Sequence, residues 1–440
     1  MAGYKLALIS LGCAKNLVNS EQMLYLLSEA GMEIVPEPEE AQCVVINTCG
    51  FIESAKSEAI DAIIAMGELK KKGRLKAIVV TGCLSQRYRD EILKELPEID
   101  AVLGTGSYDE IVTAVNAAME GKSLSLFGDI NADISGAGRI VSTGPAWAYL
   151  RIAEGCDNRC AFCVIPSIRG KYRSRTMENI VEEALALSKT GVRELIIIAQ
   201  DISRYGRDIY GKRKLSELLR RLCAIEGICW IRLHYLYPDE IDDELIETIA
   251  NEEKILKYLD IPIQHINDKI LKRMNRRGDS ADIRLLIKKL REKIPELVLR
   301  TSLIVGLPSE GEAEFSELCD FLREAKFERA GVFAFSPEEG TRAAEMDDRC
   351  DEDEANRRQE LVMDIQSRIM EDWGETMVGK TIQVLCEGYD YESGLQFGRS
   401  WADSPDIDGI VFFSGQCASG DFAKVCIDEV SGAEWYGRQV

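Results

Sequence analysis

The sequence predicts an α/β protein with three folded parts: an amino-terminal doubly wound α/β domain, a central partial (βα)6 barrel and a small carboxyl-terminal antiparallel β-barrel. Two patterns predict this. Continuous apolar runs alternate with helical stretches over most of the chain, and short β-like runs between Gly, Asp and Ser turns follow after residue 375. A length of 440 residues fits two or three domains.

The amino-terminal domain is predicted to cover residues 1–120. Its apolar runs are so continuous that we expect parallel strands buried on both faces. The predicted strands are 4–11, 43–49 and 77–83, and the predicted helices are 20–31, 53–71 and 85–95. Residues 121–145 are rich in Gly, Ser and Asp and carry no helical period, so they are predicted to be a linker.

The central part, residues 146–375, repeats a strand and a helix about six times. Six such units predict a parallel barrel, closed or incomplete, whose site lies at the carboxyl ends of its strands. The predicted strands are 147–153, 194–200, 229–235, 257–263, 297–306 and 330–336, with helices near 178–190, 241–252, 281–293 and 311–325.

The last part, residues 376–440, is predicted to form a five-stranded barrel of the kind that often binds a macromolecule. It contains ten acidic and four basic residues. A barrel that grips a nucleic acid backbone should be basic, whereas an acidic one suits a basic protein. The alternative is a solvated acidic face without a partner.

The overall composition favours a cytoplasmic protein with metal-bound thiolates. A net charge of −21 argues against an electrostatic grip on nucleic acid. Fourteen cysteines in so long a chain suit metal ligation better than a disulfide framework. The start "KLALISLGC" resembles a lipoprotein signal, but its pattern continues as strand, turn and helix, so no signal is expected. No run of 18 apolar residues occurs, so no membrane span is expected.

Three cysteines lie in one loop directly after the first predicted barrel strand. In "LRIAEGCDNRCAFCVIP" the cysteines are Cys156, Cys160 and Cys163. A structural zinc site would want a fourth nearby ligand, and no His or Cys adjoins the loop. Three thiolates on an iron–sulfur cubane leave one iron open to a small molecule, with Phe162 able to pack over the cluster. Structural or zinc-binding cysteines are the alternative.

This loop resembles that of the radical S-adenosylmethionine (SAM) enzymes. The resemblance implies that the open iron of a [4Fe–4S] cluster binds SAM and that one electron from the cluster cleaves it to a 5′-deoxyadenosyl radical. It also implies cofactor contacts for Gln200 and Asp201 near the amino group, for Gln264 near the ribose and for Gly306 near the adenine. Each of these residues is otherwise an ordinary barrel rim residue.

Three further cysteines follow three different predicted strands. Cys13, Cys49 and Cys83 each stand at a strand's carboxyl end and each adjoins a glycine. The carboxyl ends of parallel strands meet at one edge, so these thiols are expected to form a second shared site. Neighbouring glycines let backbone approach a bulky cluster. The alternative is that they are small buried side chains.

With this second set, the whole chain resembles the methylthiotransferases. The resemblance implies two [4Fe–4S] clusters, of which the amino-terminal one carries the sulfur, and a terminal TRAM domain that engages the substrate. One branch of the family modifies an aspartate of small-subunit ribosomal protein S twelve, and another modifies adenosines in tRNA. The stretch "SLGCAKNLVNSE" resembles the first branch, since Ala14, Lys15 and Asn16 stand where the tRNA branch has Gln-Met-Asn. The stretch "WADSPDIDGIVFF" also resembles the terminal barrel of the first branch.

The reaction implied is methylthiolation of the β-carbon of that aspartate, with SAM as methyl donor and as radical source. The alternative substrate is a modified adenosine in tRNA. The expected partners are the basic ribosomal protein and a reducing electron donor such as flavodoxin or ferredoxin, with no DNA, no membrane and a monomeric chain. The basic stretch "SIRGKYRSR" (167–175) is expected to meet a substrate or cofactor carboxylate through residues such as Arg169, or else RNA.

Two other interpretations stay open. The chain is a different radical SAM enzyme if the amino-terminal cysteines are structural, and a non-catalytic scaffold if no SAM is cleaved.

Overall fold

The structure, a computed structural model, describes residues 3–134 and 138–440. In these ranges the strands are β1 (Lys5–Ser10), β2 (Glu33–Ile34), β3 (Cys43–Thr48), β4 (Ala77–Gly82), β5 (Ala101–Leu103), β6 (Leu124–Leu126), β7 (Trp147–Arg151), β8 (Ala153–Glu154), β9 (Arg173–Ser174), β10 (Glu194–Ile198), β11 (Trp230–Leu233), β12 (Ile255–Asp260), β13 (Val298–Val305), β14 (Arg329–Ala334), β15 (Thr381–Asp390), β16 (Leu395–Arg399), β17 (Ile410–Ser414), β18 (Phe422–Ser431) and β19 (Glu434–Gln439).

The α-helices of the same ranges are α1 (Ala14–Glu29), α2 (Glu53–Lys71), α3 (Cys83–Tyr88), α4 (Asp90–Glu95), α5 (Ile111–Met119), α6 (Ile165–Arg169), α7 (Met177–Lys189), α8 (Arg207–Tyr210), α9 (Leu215–Cys223), α10 (Asp243–Asn251), α11 (Asp268–Arg273), α12 (Ser280–Lys293), α13 (Glu312–Ala325) and α14 (Glu352–Glu375). Several begin at a side chain that caps free backbone N–H groups, as Asp242 does for α10 and Asp279 for α12. None of these helices is both long and apolar enough to cross a membrane.

The chain divides into two compact units that are not continuous in sequence. The first unit consists of residues 1–142, 153–175 and 336–344, and the second of 143–152, 176–335 and 345–440. Both three-cysteine sets therefore belong to the first unit.

The first unit contains a parallel sheet with strand order β2-β1-β3-β4-β5-β6. Alternate residues of β3 enter separate cores, so that Val45 packs with Met23 of α1 on one face and Ile46 packs with Ile63 of α2 on the other. Helices thus cover both faces, which confirms the predicted doubly wound fold. The order reverses beside β1, which is where such sheets bind ligands.

The second unit contains a six-stranded parallel sheet with order β14-β13-β12-β11-β10-β7. The spatial order of the strands follows the chain, as expected for a partial (βα)6 barrel. Connecting helices follow each of its first five strands, and α14 follows β14.

The same unit contains a closed five-stranded barrel, β15-β16-β17-β19-β18. One detail of the prediction was wrong: β17 and β19 pair in parallel, and only the other pairs are antiparallel. The chain changes direction twice between β17 and β19, so these two strands run in the same direction. The loop before β17 packs on the six-stranded sheet, where Arg329 pairs with Asp403 at 2.7 Å and the Tyr258 hydroxyl donates to Asp408 at 2.6 Å.

Three predicted boundaries differ from the structure. Helix α1 begins at Ala14, well before residue 20, because its first turns are polar yet buried and do not show an apolar period. The helix predicted for 85–95 is two helices, since Arg89 between them has a φ of 45°. The predicted linker 121–145 contains strand β6, which pairs with β5, and residues 135–137 of it lie outside the described residues.

Candidate active site

Cys13, Cys49 and Cys83 lie at the ends of three neighbouring strands. Cys13 follows β1 and caps α1, Cys49 directly follows β3, and Cys83 begins α3 after β4. The sheet order β1-β3-β4 puts these ends side by side at the reversal of strand order. The thiols are close enough that the charges of Cys83 and Cys13 affect the pKa of Cys49.

Glycines make this close approach possible. Gly12 has a φ of +90°, and a Cβ there would lie 2.7 Å from the Cβ of Cys49 and 3.1 Å from its Sγ. Gly82 has a φ of +102°, and its Cβ would lie 2.4 Å from the carbonyl oxygen of Thr48. Any side chain at either position would push the cysteines apart.

A buried amide network fixes the cysteine-bearing segments. The Asn16 amide donates to the carbonyls of Leu11 at 3.0 Å and Thr48 at 2.9 Å, joining the start of α1 to the end of β3. The Asn47 amide donates back to the carbonyl of Asn16 at 2.8 Å and to the hydroxyl of Ser20 at 2.9 Å. The sequence prediction missed this role, although asparagines beside apolar residues in "KNLVNS" and "VINTC" are the visible signal.

Arg169 lies among these cysteines. Its Nη2 is 3.3 Å from the Sγ of Cys83 and also donates to the Oδ1 of Asn16. Its Nη1 donates to Asn19 at 3.0 Å and to the carboxylate of Glu154 at 3.3 Å. The side chain is buried, and the carboxylate that it meets is that of Glu154.

The rest of the basic stretch is also mostly internal. Arg173 donates to the carbonyl of Arg169 at 3.2 Å and to that of Lys171 at 2.6 Å. Arg175 is buried, and Lys171 is the exposed cation of the segment. The stretch does not form the basic surface that RNA binding would need.

The three thiols differ in acidity. Burial raises the pKa of Cys49 to about 11, and burial also raises the pKa of Cys83 against the opposing charge of Arg169. The side chain of Cys13 reaches solvent, but its crowded surroundings still tend to raise its pKa. The positive charges of Lys15 and Arg169 outweigh this effect, so the pKa of Cys13 is lowered. Three thiols with a buried cation suit an anionic iron–sulfur cluster, which binds cysteines as thiolates.

The second cysteine loop is held by the small antiparallel sheet of β8 and β9. The N–H of Cys156 donates to the carbonyl of Gly170 at 3.1 Å, and that of Cys163 donates to the carbonyl of Cys160 at 3.1 Å. Gly155, with a φ of +76°, allows the crossing, since a Cβ there would lie 2.1 Å from the carbonyl oxygen of Lys171. All three thiols and Phe162 are half-buried, so they remain accessible.

In the described part of the chain, no three His, Cys, Asp or Glu side chains are placed to hold a single metal ion. Cysteines of a cluster bind different irons and do not need to share one ion.

The four remaining predicted cofactor residues lie in the second unit. Gln200 and Asp201 follow β10, Gln264 follows β12 and Gly306 follows β13, all at the carboxyl-terminal edge of the parallel sheet. Asp201 is buried and accepts from the N–H of Ser203 at 3.1 Å. Gln264, with a φ of 70°, is joined to β13 through the carbonyl of Ser302 at 2.9 Å and the N–H of Ile304 at 2.8 Å.

Gly306 is supported by a buried charge network that the sequence prediction missed. Its N–H donates to Glu310 at 2.9 Å. The carboxylate of Glu310 also pairs with Arg358 at 2.9 Å and lies 3.4 Å from Nε2 of His265. The acidic residue a turn after the glycine in "IVGLPSE" is the signal, but its partner Arg358 is remote in sequence.

Sequence models of three families match the chain: the Uncharacterized protein family UPF0004 over residues 5–104, the Radical SAM superfamily over 150–322 and the TRAM domain over 378–440. With the three-cysteine loop and the parallel sheet, these matches define a radical SAM protein. A [4Fe–4S] cluster and SAM are the cofactors of that class.

Curated relatives match nearly the whole chain. Ribosomal protein uS12 methylthiotransferase RimO of Lachnoclostridium phytofermentans is 48% identical over 429 residues, which cover 97% of each chain. The protein of the same name from Caldanaerobacter subterraneus subsp. tengcongensis is 50% identical over 96% of each chain. The chain belongs to the RimO family of ribosomal protein uS12 methylthiotransferases.

Solved structures share the fold at low sequence identity. The radical SAM methyltransferase TsrM from Kitasatospora setae, with cobalamin and a [4Fe–4S] cluster bound, is similar with a TM-score of 0.56 and 13% identity, over 78% of this chain and 77% of that one. The cobalamin-dependent SAM radical enzyme OxsB, with aqua-cobalamin and SAM bound, is similar with a TM-score of 0.53 and 12% identity, over 84% of this chain and 56% of that one.

Proposed function

We propose that this chain attaches a methylthio group to the β-carbon of an aspartate in small-subunit ribosomal protein uS12. The observation that carries the proposal is the presence of two three-cysteine sets in one compact unit of a RimO family chain. An unactivated C–H bond has no useful acidity, so acid–base side chains cannot perform this reaction. When bound, the clusters and SAM supply an electron, a radical, sulfur and a methyl group.

Two clusters are proposed. Cys156, Cys160 and Cys163 hold the one that faces SAM, and Cys13, Cys49 and Cys83 hold the one that carries sulfur. Each set supplies three thiolates and leaves one iron for another ligand.

The remaining site residues position SAM. Phe162 packs over the radical cluster, Gln200 and Asp201 face the amino group, Gln264 faces the ribose and Gly306 brings backbone to the adenine. Support for the last four comes from their shared position at the carboxyl-terminal edge of the six-stranded sheet, where parallel barrels bind their ligands.

The proposed partners are uS12 and a reducing donor such as flavodoxin or ferredoxin. We propose a cytoplasmic monomer that binds neither DNA nor a membrane. The acidic terminal barrel supports a basic protein substrate, although Asp403 and Asp408 pair with buried groups of the core and so add little to its surface charge. The proposed domains are 1–120, 146–375 and 376–440, with 121–145 as the linker between the first two, and β6 within this linker adds a strand to the amino-terminal sheet.

Deletion of the gene tests this function. Whole-protein masses of small-subunit ribosomal proteins and a nucleoside profile of tRNA are compared before and after deletion. We expect uS12 alone to lose the mass of a methylthio group. Loss of a methylthio-adenosine with unchanged uS12 would instead establish the tRNA alternative.

Complementation then tests the cysteines. Cys13→Ala and Cys156→Ala are each expected to leave uS12 unmodified. Cys43→Ala is the matched control, because Cys43 lies in the same domain but is buried in its apolar core, and it should restore the modification.

A further inference from the structure

We propose that Arg169 is a positioning residue for the amino-terminal cluster, and that its fixed positive charge makes this cluster easier to reduce. The inference rests on the proposed function, in which Cys13, Cys49 and Cys83 hold a cluster. It concerns a residue outside both three-cysteine sets.

The guanidinium contacts the cysteine site directly. Its Nη2 lies 3.3 Å from the Sγ of Cys83 and donates to Asn16, the same residue whose amide ties α1 to β3. Its Nη1 donates to Asn19, one turn further along α1. One planar side chain therefore joins two of the three cysteine-bearing segments, and the fixed fork of arginine suits such multiple contacts.

Arg169 is also connected by a short piece of chain to the other cysteine loop. It ends α6, which begins directly after that loop. Two apolar residues of the same segment, Val164 and Ile168, form a small core with Cys83 and Phe51. The segment that carries Cys163 thus packs against the segment that carries Cys83.

The charge of Arg169 is buried between the thiol of Cys83 and the carboxylate of Glu154. Arg169 is 3% exposed, and its acidic partner is Glu154 at 3.3 Å. Charges interact more strongly away from water, so this cation acts on a neighbouring thiolate far more than a surface cation would. Net charge and hydrogen bonds to sulfur set the potential of an iron–sulfur cluster, and a nearby cation favours its more negative, reduced form.

A purely structural role is the competing explanation. In that case the ion pair of Arg169 with Glu154 would only hold the chain together, and its removal would reduce stability without a specific change of potential. The reduction potential of the amino-terminal cluster separates the two explanations.

The experiment uses full-length protein in which Cys156, Cys160 and Cys163 are all replaced by Ala, so that only the amino-terminal site can hold iron. The protein is reconstituted with iron and sulfide without oxygen, and its iron content and EPR-monitored reduction potential are measured. Arg169→Gln should lower the potential, and Arg169→Lys, which keeps the charge, should stay closer to the parent.

Glu154→Gln gives a prediction of opposite sign. This substitution removes the negative charge beside Arg169 and nearly keeps the shape of the Glu154 side chain. The reduction potential of the amino-terminal cluster should therefore rise. Lys171→Gln is the matched control, because it removes an exposed cation from the same segment and should leave the potential unchanged.

The outcomes are separable. If the triple-Ala protein holds no iron, the proposed second cluster fails. If it holds iron and the Arg169 and Glu154 variants have the same reduction potential as the triple-Ala parent, the inference on Arg169 is overturned while the proposed function stands. Equal shifts for Gln and Lys at Arg169 would also overturn it. If Arg169→Gln does not fold, Glu154→Gln decides.

Discussion

The carboxylate of Glu194 lies 2.7 Å from the guanidinium of Arg399, and both side chains are buried. Its other oxygen accepts from Nε of Arg232 at 2.7 Å. Burial alone would raise the pKa of Glu194, but Arg399 and Arg232 hold it below its ordinary value. Glu194 begins β10 and Arg399 ends β16, so this contact joins the parallel sheet to the terminal barrel within one unit.

Replacement of Glu194 by Gln should strongly destabilise the second unit. It removes the anion that Arg232 and Arg399 share. Arg399 keeps its pair with Glu387 at 2.6 Å, whereas Arg232 loses the carboxylate that lies 2.7 Å from its Nε, and breaking a buried ion pair costs about 3–5 kcal/mol. Urea denaturation measures the change. Glu217→Gln is the control, since its partners Lys214 and Arg221 lie at the surface and its loss should change little. Similar midpoints for both variants would contradict the role assigned to Glu194.

Cys43 should make the protein less stable at alkaline pH. Burial raises the pKa of its thiol to about 12, whereas the unfolded thiol ionises near pH ~8.5. Above that pH the unfolded state binds fewer protons, so the free energy of unfolding falls by about 1.4 kcal/mol per pH unit until the folded thiol ionises as well. Cys43→Ala should reduce the slope by this amount in denaturant titrations at several pH values. Cys229→Ala, at an exposed site, should keep the parental slope, and an unchanged slope in Cys43→Ala would refute the prediction.

Gly12→Ala should remove iron from the amino-terminal site. The new Cβ would lie 2.7 Å from the Cβ of Cys49, so that cysteine must move. Gly31→Ala is a close control, because Gly31 has a similar φ of +84° but open space around its Cβ position. Iron content is measured in protein in which the three cysteines of the second loop are also replaced by Ala. Equal iron in both variants would show that Gly12 does not set the position of Cys49.

Gly306→Ala should weaken SAM binding by about tenfold or more, which equals about 1.4 kcal/mol. Its φ is +76°, and the added Cβ would lie 2.6 Å from that of Ala355, which forces the turn away from its place. Gly340→Ala, with a φ of +79° and open space, carries only the conformational cost of about 1–2 kcal/mol in stability. Calorimetric titration with SAM compares them, and unaltered affinity in Gly306→Ala would exclude Gly306 from the cofactor site.

Local pattern was enough to predict the architecture and the two cysteine sets. Continuous apolar runs identified the parallel strands, and parallel strands bring Cys13, Cys49 and Cys83 to one edge whatever their separation in sequence. The partners of Arg169 could not be predicted in this way. Its contacts with Asn16 and Cys83 join segments far apart in the chain, and a basic residue in "SIRGKYRSR" gives no sign that it is buried.

The terminal barrel is not an interchangeable attachment. Arg399, Asp403 and Asp408 complete ionic and polar contacts whose other halves lie on strands of the parallel sheet. A barrel borrowed from a distant homologue would leave Glu194 without Arg399 and Arg329 without Asp403, unless the same three positions came with it. Exchange of this domain is therefore constrained by charges that do not reach the solvent.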